Sequence, residues 1–231
     1  MERERVMWQG YHLFRPRPQD RFLVDEVKPF VEAVQPDAFF FIRYNDPAPH
    51  IRLRLRSARV FDREVLAVFP DARIVAYEPE FERYGGPELM PVAERQFEAS
   101  SRAVLAAMSR PDWSYEAALR TAIRMHLALA EAFDLDAPKF FRSTTRRFLR
   151  LPGAPRDREA EARTLAEFDA RFLEGLPTSS EWIADMRDIA SQFGSTHLNA
   201  IQSFVHMTNN RLGIRYRDEA FIARMIVRSL E

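Results

Sequence analysis

Cysteine is absent from the 231 residues. The chain therefore has no disulfide, no thiolate metal ligand and no thiol nucleophile. Lysine is almost absent as well: Lys28 and Lys139 are the only two, and the rest of the 34 basic residues are arginines. Cationic work falls to planar guanidinium forks that keep their charge, not to ammonium groups that shed protons easily. No apolar run is long enough to span a bilayer, and the N-terminus MERERVMWQ lacks the apolar core of a signal peptide. The reading from these features is a soluble, cytoplasmic protein.

Net charge is missing too, since 34 basic residues meet 34 acidic ones. That balance argues against a general nucleic-acid coat and leaves room only for local basic patches. Four signatures do not occur: the phosphate loop GxxxxGK[ST], the dinucleotide loop GxGxxG, the zinc pair HExxH and the nucleophile elbow GxSxG. The five histidines are scattered, without metal-ligand spacing. No metal and no cofactor are expected. An enzyme built this way works through acid–base and electrostatic chemistry.

What is present is an ordinary globular balance of apolar and charged residues, in a chain long enough to bury a core. Residues 8–15 (WQGYHLFR) read as a first strand. An apolar stripe of Phe22, Leu23, Val27, Phe30, Val31 and Val34 predicts a helix over 19–34. Residues 39–44 read as a buried strand, and NDPAP as a turn with proline breakers. Strict alternation over 50–56 predicts a strand with Ile51, Leu53 and Leu55 on one face. A short helix over 60–69 and a strand over 73–78 follow. From Gly85-Gly86-Pro87 onward the pattern is helical: 91–109, 115–133, 139–149, 158–173, 180–211 and 218–230, with a loop at 151–157 and Gly213 as a helix stop.

Strands followed by a run of helices mean an α+β fold. We expect a small, mainly antiparallel sheet in the N-terminal third, packed against a larger set of helices. Such a sheet cannot hide its faces alone, so residues 1–231 are read as one domain. Its α/β portion covers 1–85 and its helical portion 86–231.

The segment HIRLRLR puts His50, Arg52, Arg54 and Arg56 on one strand face. Adjacent cations repel, so that face wants anions or water. A solvated outer face over a buried Ile/Leu face is the plain reading. An anion site for carboxylate or phosphate is the functional one, because the strand follows an aromatic strand and no acid or lysine interrupts the row. The pattern leaves the two readings even. YEPEFERYGG holds Glu78, Glu80, Glu82 and Arg83, which either neutralise the arginine row or orient it around a ligand. SFVHMTNNRLGI carries His206 and Asn210 four residues apart on one helix face. His126, inside an apolar run, and His197 read as packing residues; His12 decides nothing.

Three blocks now stand in order: FFFIRYNDPAPHIRLRLR, YEPEFERYGG and HMTNNRLGI. Together they resemble the C-terminal, glutamate-elimination domain of class I lanthipeptide dehydratases. That domain also occurs alone, as thiopeptide-type bacteriocin biosynthesis proteins. The resemblance runs from the Trp8 strand to the last helix. It implies that a separate tRNA-dependent protein glutamylates Ser or Thr of a ribosomal precursor peptide, made of leader and core. The present domain then removes the α-proton and expels glutamate, leaving dehydroalanine or dehydrobutyrine.

Carried over by motif, the catalytic residues are Arg52, Arg54, Glu80, Arg83 and His206. Their neighbours His50, Arg43, Asn210 and Arg211 are assigned to substrate binding. No cofactor, no direct contact with nucleic acid and no membrane span are expected, and a homodimer stays open. The same family includes thiopeptide pyridine synthases, which join two dehydroalanines in a formal [4+2] aza-cycloaddition and then lose water and leader. The intact set of Arg52, Arg54, Glu80, Arg83 and His206 favours elimination. A non-catalytic peptide-binding module, with an acidic leader on the arginine face, is the third reading.

Overall fold

The computed structural model describes residues 6–148 and 179–230. Four strands, β1 (Met7–Phe14), β2 (Ala38–Tyr44), β3 (His50–Ser57) and β4 (Arg73–Val75), form one sheet in the order β2-β3-β1-β4. Every pairing is antiparallel. β3 is therefore an inner strand, as its aromatic predecessor suggested. The alternation of its sequence sorts its side chains cleanly. Ile51, Leu53 and Leu55 are completely buried, a burial of roughly 1.5–3 kcal/mol per side chain. Opposite partners on neighbouring strands share a face, so Tyr11, Leu13 and Phe41 join that apolar layer.

Helix α1 spans an α turn (Asp20–Phe22), a π turn (Leu23–Val27) and an α segment (Lys28–Val34). It joins the apolar core with α2 (Asp62–Val68) through Phe22, Leu23, Val27, Phe30 and Val65. Two polar ties fix these helices to the sheet. The Tyr11 hydroxyl donates to Asp62 at 3.0 Å, and Arg43 pairs with Asp20 at 2.8 Å.

After a 3-10 turn (Phe81–Tyr84) the chain is helical: α3 (Met90–Met108), α4 (Tyr115–Ala132), α5 (Ala137–Phe148), α6 (Ser180–Phe193), α7 (Leu198–Leu212) and α8 (Tyr216–Leu230). Ser114 and Ser179 cap α4 and α6 by accepting the backbone N–H three residues on. Gly213, at φ 75°, ends α7 with the Ile214 N–H returned to the Asn209 carbonyl.

The helical part joins the sheet at an edge. Unpaired backbone groups on an edge strand need partners, and on β2 they receive side chains. Ser101 of α3 accepts the Phe41 N–H at 3.2 Å. Asn210 of α7 accepts the Arg43 N–H at 2.8 Å and donates to the Arg43 carbonyl at 2.9 Å. An aromatic run continues the joint, from Phe40 on β2 through Phe97 to Tyr84 and Phe204.

The expected helix over 180–211 is two helices. Gly194, at φ 75° and ψ 159°, stops α6, and α7 restarts at Leu198. The expected strand over 73–78 shortens to three residues. The expected loop at 151–157 and helix at 158–173 lie outside the described residues. Among the described residues no helix is long and apolar enough to cross a membrane.

Candidate active site

Arg52 and Arg54, on the polar face of β3, line one wall of a cavity of about 260 Å³ whose other walls are the segment around the 3-10 turn and helix α7. Of the residues selected from sequence, Arg52, Arg54, Glu80, Arg83, His206, Arg43, Asn210 and Arg211 all line this cavity. Three blocks far apart in the chain thus share one space.

Arg52 is held by rings. Its guanidinium carbon lies 3.4 Å over the Tyr44 ring, and its Nε donates to His50 Nε2 at 3.4 Å. Arg54 is buried, with Nη1 on the Leu53 carbonyl at 3.1 Å. Its room comes from Gly10 on the neighbouring strand. A Cβ at Gly10 would meet the Val75 carbonyl oxygen at 2.7 Å and Arg54 Nη1 at 3.1 Å. Among the described residues no acidic side chain pairs with Arg52 or Arg54. Burial, reinforced by the charge on Arg52, lowers Arg54 to about 10, so it stays cationic at neutral pH.

Arg211 adds a third such cation. It is fully buried, its Nε donates to Ser101 at 3.2 Å, and its Nη1 and Nη2 have no hydrogen-bond partner among the described residues. Burial lowers it to about 10, partly offset by Tyr84. Two unsatisfied donors on a buried cation beside a cavity are costly in isolation and satisfied by a bound anion.

Arg83 and His206 are placed differently. Arg83 donates to Glu80 at 2.8 Å and to the Ser203 hydroxyl at 3.1 Å, tying the 3-10 turn to α7. His206 Nδ1 lies 2.9 Å from both carboxylate oxygens of Glu219, a buried residue of α8.

Three substrate-binding assignments change with the geometry. His50 is fully buried and does not line the cavity. Its Nδ1 donates to the Ala48 carbonyl at 2.8 Å, and its ring packs between His12 and Phe14 at 4.5 and 5.0 Å. Burial lowers its affinity for a proton, so it remains neutral and serves as the acceptor that aims Arg52. The Arg43 guanidinium is held by Asp20, by the Arg211 carbonyl at 3.0 Å and by Met108. Its side chain braces the joint between sheet and helices. Asn210 uses both amide atoms on the Arg43 backbone and braces the same joint.

Glu219 was missed from sequence. The only local signal is an acidic first turn, which any helix favours. Tyr44 and Ser203, which hold Arg52 and Arg83, carry no recognisable signal either. Among the described residues no three His, Asp or Glu side chains converge to hold a metal ion.

Comparison with known proteins adds the following. The family profile described as "Lantibiotic biosynthesis dehydratase C-term" matches residues 8–230. The subtilin biosynthesis protein SpaB of Bacillus subtilis is 34% identical over 106 residues, which cover 37% of this chain and 10% of SpaB. The chain thus spans a small fraction of the curated relatives it matches. The tRNA-dependent lantibiotic dehydratase MibB from Microbispora sp. 107891 superposes with TM-score 0.65 at 24% identity, over 96% of this chain and 27% of MibB. The pyridine synthase TbtD from thiomuracin biosynthesis superposes with TM-score 0.71 at 14% identity, over 96% of this chain and 97% of TbtD. The two superpositions show the fold.

Proposed function

The chain belongs to the lantibiotic biosynthesis dehydratase C-terminal family, and from that premise we propose that it is a lyase acting on a glutamylated ribosomal peptide. In this reading a base takes the α-proton of a glutamylated Ser or Thr. The electron pair forms the Cα=Cβ bond, the Cβ–O bond breaks, and glutamate leaves. The observation that carries the reading is the set of cavity-lining arginines without a carboxylate partner. Arg52 and Arg54 have none among the described residues, and two nitrogens of the buried Arg211 are unsatisfied. A cavity that holds uncompensated guanidinium groups is built to receive negative charge. Both the departing carboxylate and the enolate that precedes it supply that charge.

The cavity, at about 260 Å³, is small for a drug-sized ligand, whose sites run from ~300 to 1,000 Å³. It suits an amino-acid-sized leaving group with the peptide running outside. Glutamate departs as a carboxylate and needs no proton, so a single proton-transfer group suffices. His206 is that group, and its task is to act as base. Arg83, fixed by Glu80 and Ser203, supplies a further donor on the helical wall. A glutamylation step outside these 231 residues supplies the glutamylated peptide.

One observation favours a second reading. The fold superposes on TbtD with TM-score 0.71 over 96% of this chain. A cyclase that uses the same cavity for two dehydroalanines fits that shared fold. Mass spectrometry separates the two. The pure protein is incubated with one peptide carrying glutamylated serines and another carrying dehydroalanines and azoles. Loss of glutamate from the first supports the lyase. Loss of water and leader from the second, with the first unchanged, makes the protein a pyridine synthase.

A further inference from the structure

Behind His206 lies a chain of polar groups that the sequence did not reveal and the elimination chemistry does not itself require. Glu219 is 2% exposed, and both its oxygens sit 2.9 Å from His206 Nδ1. A carboxylate only accepts, so Nδ1 carries a proton. Asn209, also fully buried, donates Nδ2 to the same carboxylate at 3.3 Å. Its Oδ1 lies 2.8 Å from Nε2 of His126, so that His126 nitrogen is the donor. His126 is fully buried, and burial lowers it to about 4; it is therefore a neutral, fixed donor and not a proton carrier. Every donor in the series points towards Glu219. Helix α7 supplies both groups that hold the carboxylate of α8, and His126 of α4 fixes one of them, Asn209, from behind.

We propose that Glu219 is the positioning residue of this site. It keeps the proton of His206 on Nδ1, assigns proton exchange to Nε2, and balances the imidazolium that forms when Nε2 takes a proton. Asn209 and His126 keep Glu219 in place. The logic is that of any base oriented by an acid behind it: the acid sets the tautomer and stabilises the charged ring without itself being protonated. Neutral histidine in water prefers the opposite tautomer, so the arrangement makes a distinctive spectroscopic prediction.

The kinetic part of the proposal rests on the lyase reading, whereas the tautomer stands whatever reaction the cavity runs. The first measurement uses the wild-type protein, labelled with ¹⁵N-histidine, with the His206 signal identified from its loss in His206→Gln. Long-range proton–nitrogen correlation is expected to show neutral His206 protonated on Nδ1. Protonation on Nε2 would overturn the proposal, with no variant needed. The second measurement is the kinetics of Glu219→Gln, which keeps the shape and removes the charge. Its kcat is expected to fall by about 100-fold or more, with KM within about threefold and with Glu219→Asp recovering part of the loss. Unchanged kcat, or a loss carried by KM alone, contradicts it. If the wild type releases no glutamate while His206 shows the expected tautomer, the lyase reading fails and the positioning role stands.

Discussion

On the sheet wall of the cavity, Arg52 lies against the Tyr44 ring and Arg54 is buried beside Gly10, both without an acidic partner among the described residues. On the helical wall, Arg83 is bound to Glu80 and His206 to Glu219. The difference separates two tasks. A cation held by rings and backbone keeps its full appetite for an anion, at a cost to the stability of the empty protein. A group held by an acid has lost that appetite and gained an orientation. Arg52 and Arg54 of the sheet wall, joined by the unsatisfied Arg211 of α7, thus offer charge to an anion, whereas Arg83 and His206 on the helical wall are held in fixed orientations.

Substitutions can break this division, beginning with the largest effect. Arg54→Met removes a buried cation that has no counter-ion among the described residues. Turnover is expected to fall by about 10³-fold or more, while the thermal midpoint stays level or rises. Arg54→Lys should not restore activity, because a point charge does not reproduce the fork. A fall in midpoint together with retained turnover would place Arg54 in the scaffold. His206→Ala is next, with kcat expected to drop by about 10²–10⁴-fold and only a small change in urea midpoint. Equal losses in kcat and stability would make it a packing residue.

Asn210→Ala tests the joint on which both walls depend. Two hydrogen bonds to the β2 edge disappear, at about 1 kcal/mol each, so urea unfolding should show a loss of about 2 kcal/mol. An unchanged unfolding curve would show that the helices hold the sheet edge without it.

The smallest effect concerns two histidines, one on the sheet and one among the helices. Burial lowers His12, opposite Arg52 on the polar face of the sheet, and His126, behind the helical wall, from 6.5 to about 4. His50 and nearby arginines add to the shift of His12. Folded, these rings resist a proton that the unfolded chain accepts. Their contribution is therefore complete above pH 6.5 and declines as the pH falls towards 4. Urea midpoints measured across that window should fall. His12→Gln and His126→Gln should each flatten part of the decline, and a curve that neither variant alters would contradict the assignment.

The sheet was legible where a local period decided it. Alternation over β3 predicted the buried Ile51, Leu53 and Leu55 and put four basic residues on the other face. It did not predict what covers that face, which is why His50 was assigned to substrate although His12, Phe14 and Tyr44 enclose it. Helix stops were legible at Gly213 and overlooked at Gly194, where the helical pattern resumes four residues later. The motif blocks named the residues that meet at the cavity. Glu219 was beyond reach because its meaning lies across a turn, thirteen positions from His206. The orphaned nitrogens of Arg211 depend on what surrounds it in three dimensions, which no window of sequence contains.

The central claim is that this cavity breaks a Cβ–O bond by taking an α-proton, and a deuterium label tests it most directly. A precursor peptide glutamylated on serine and deuterated at the serine α-carbon is incubated with the wild-type protein and followed by mass spectrometry. The account predicts release of glutamate, a dehydroalanine product without deuterium, and a slower rate than with the unlabelled peptide. Release of glutamate with serine restored and deuterium retained would show ester hydrolysis, and would contradict it.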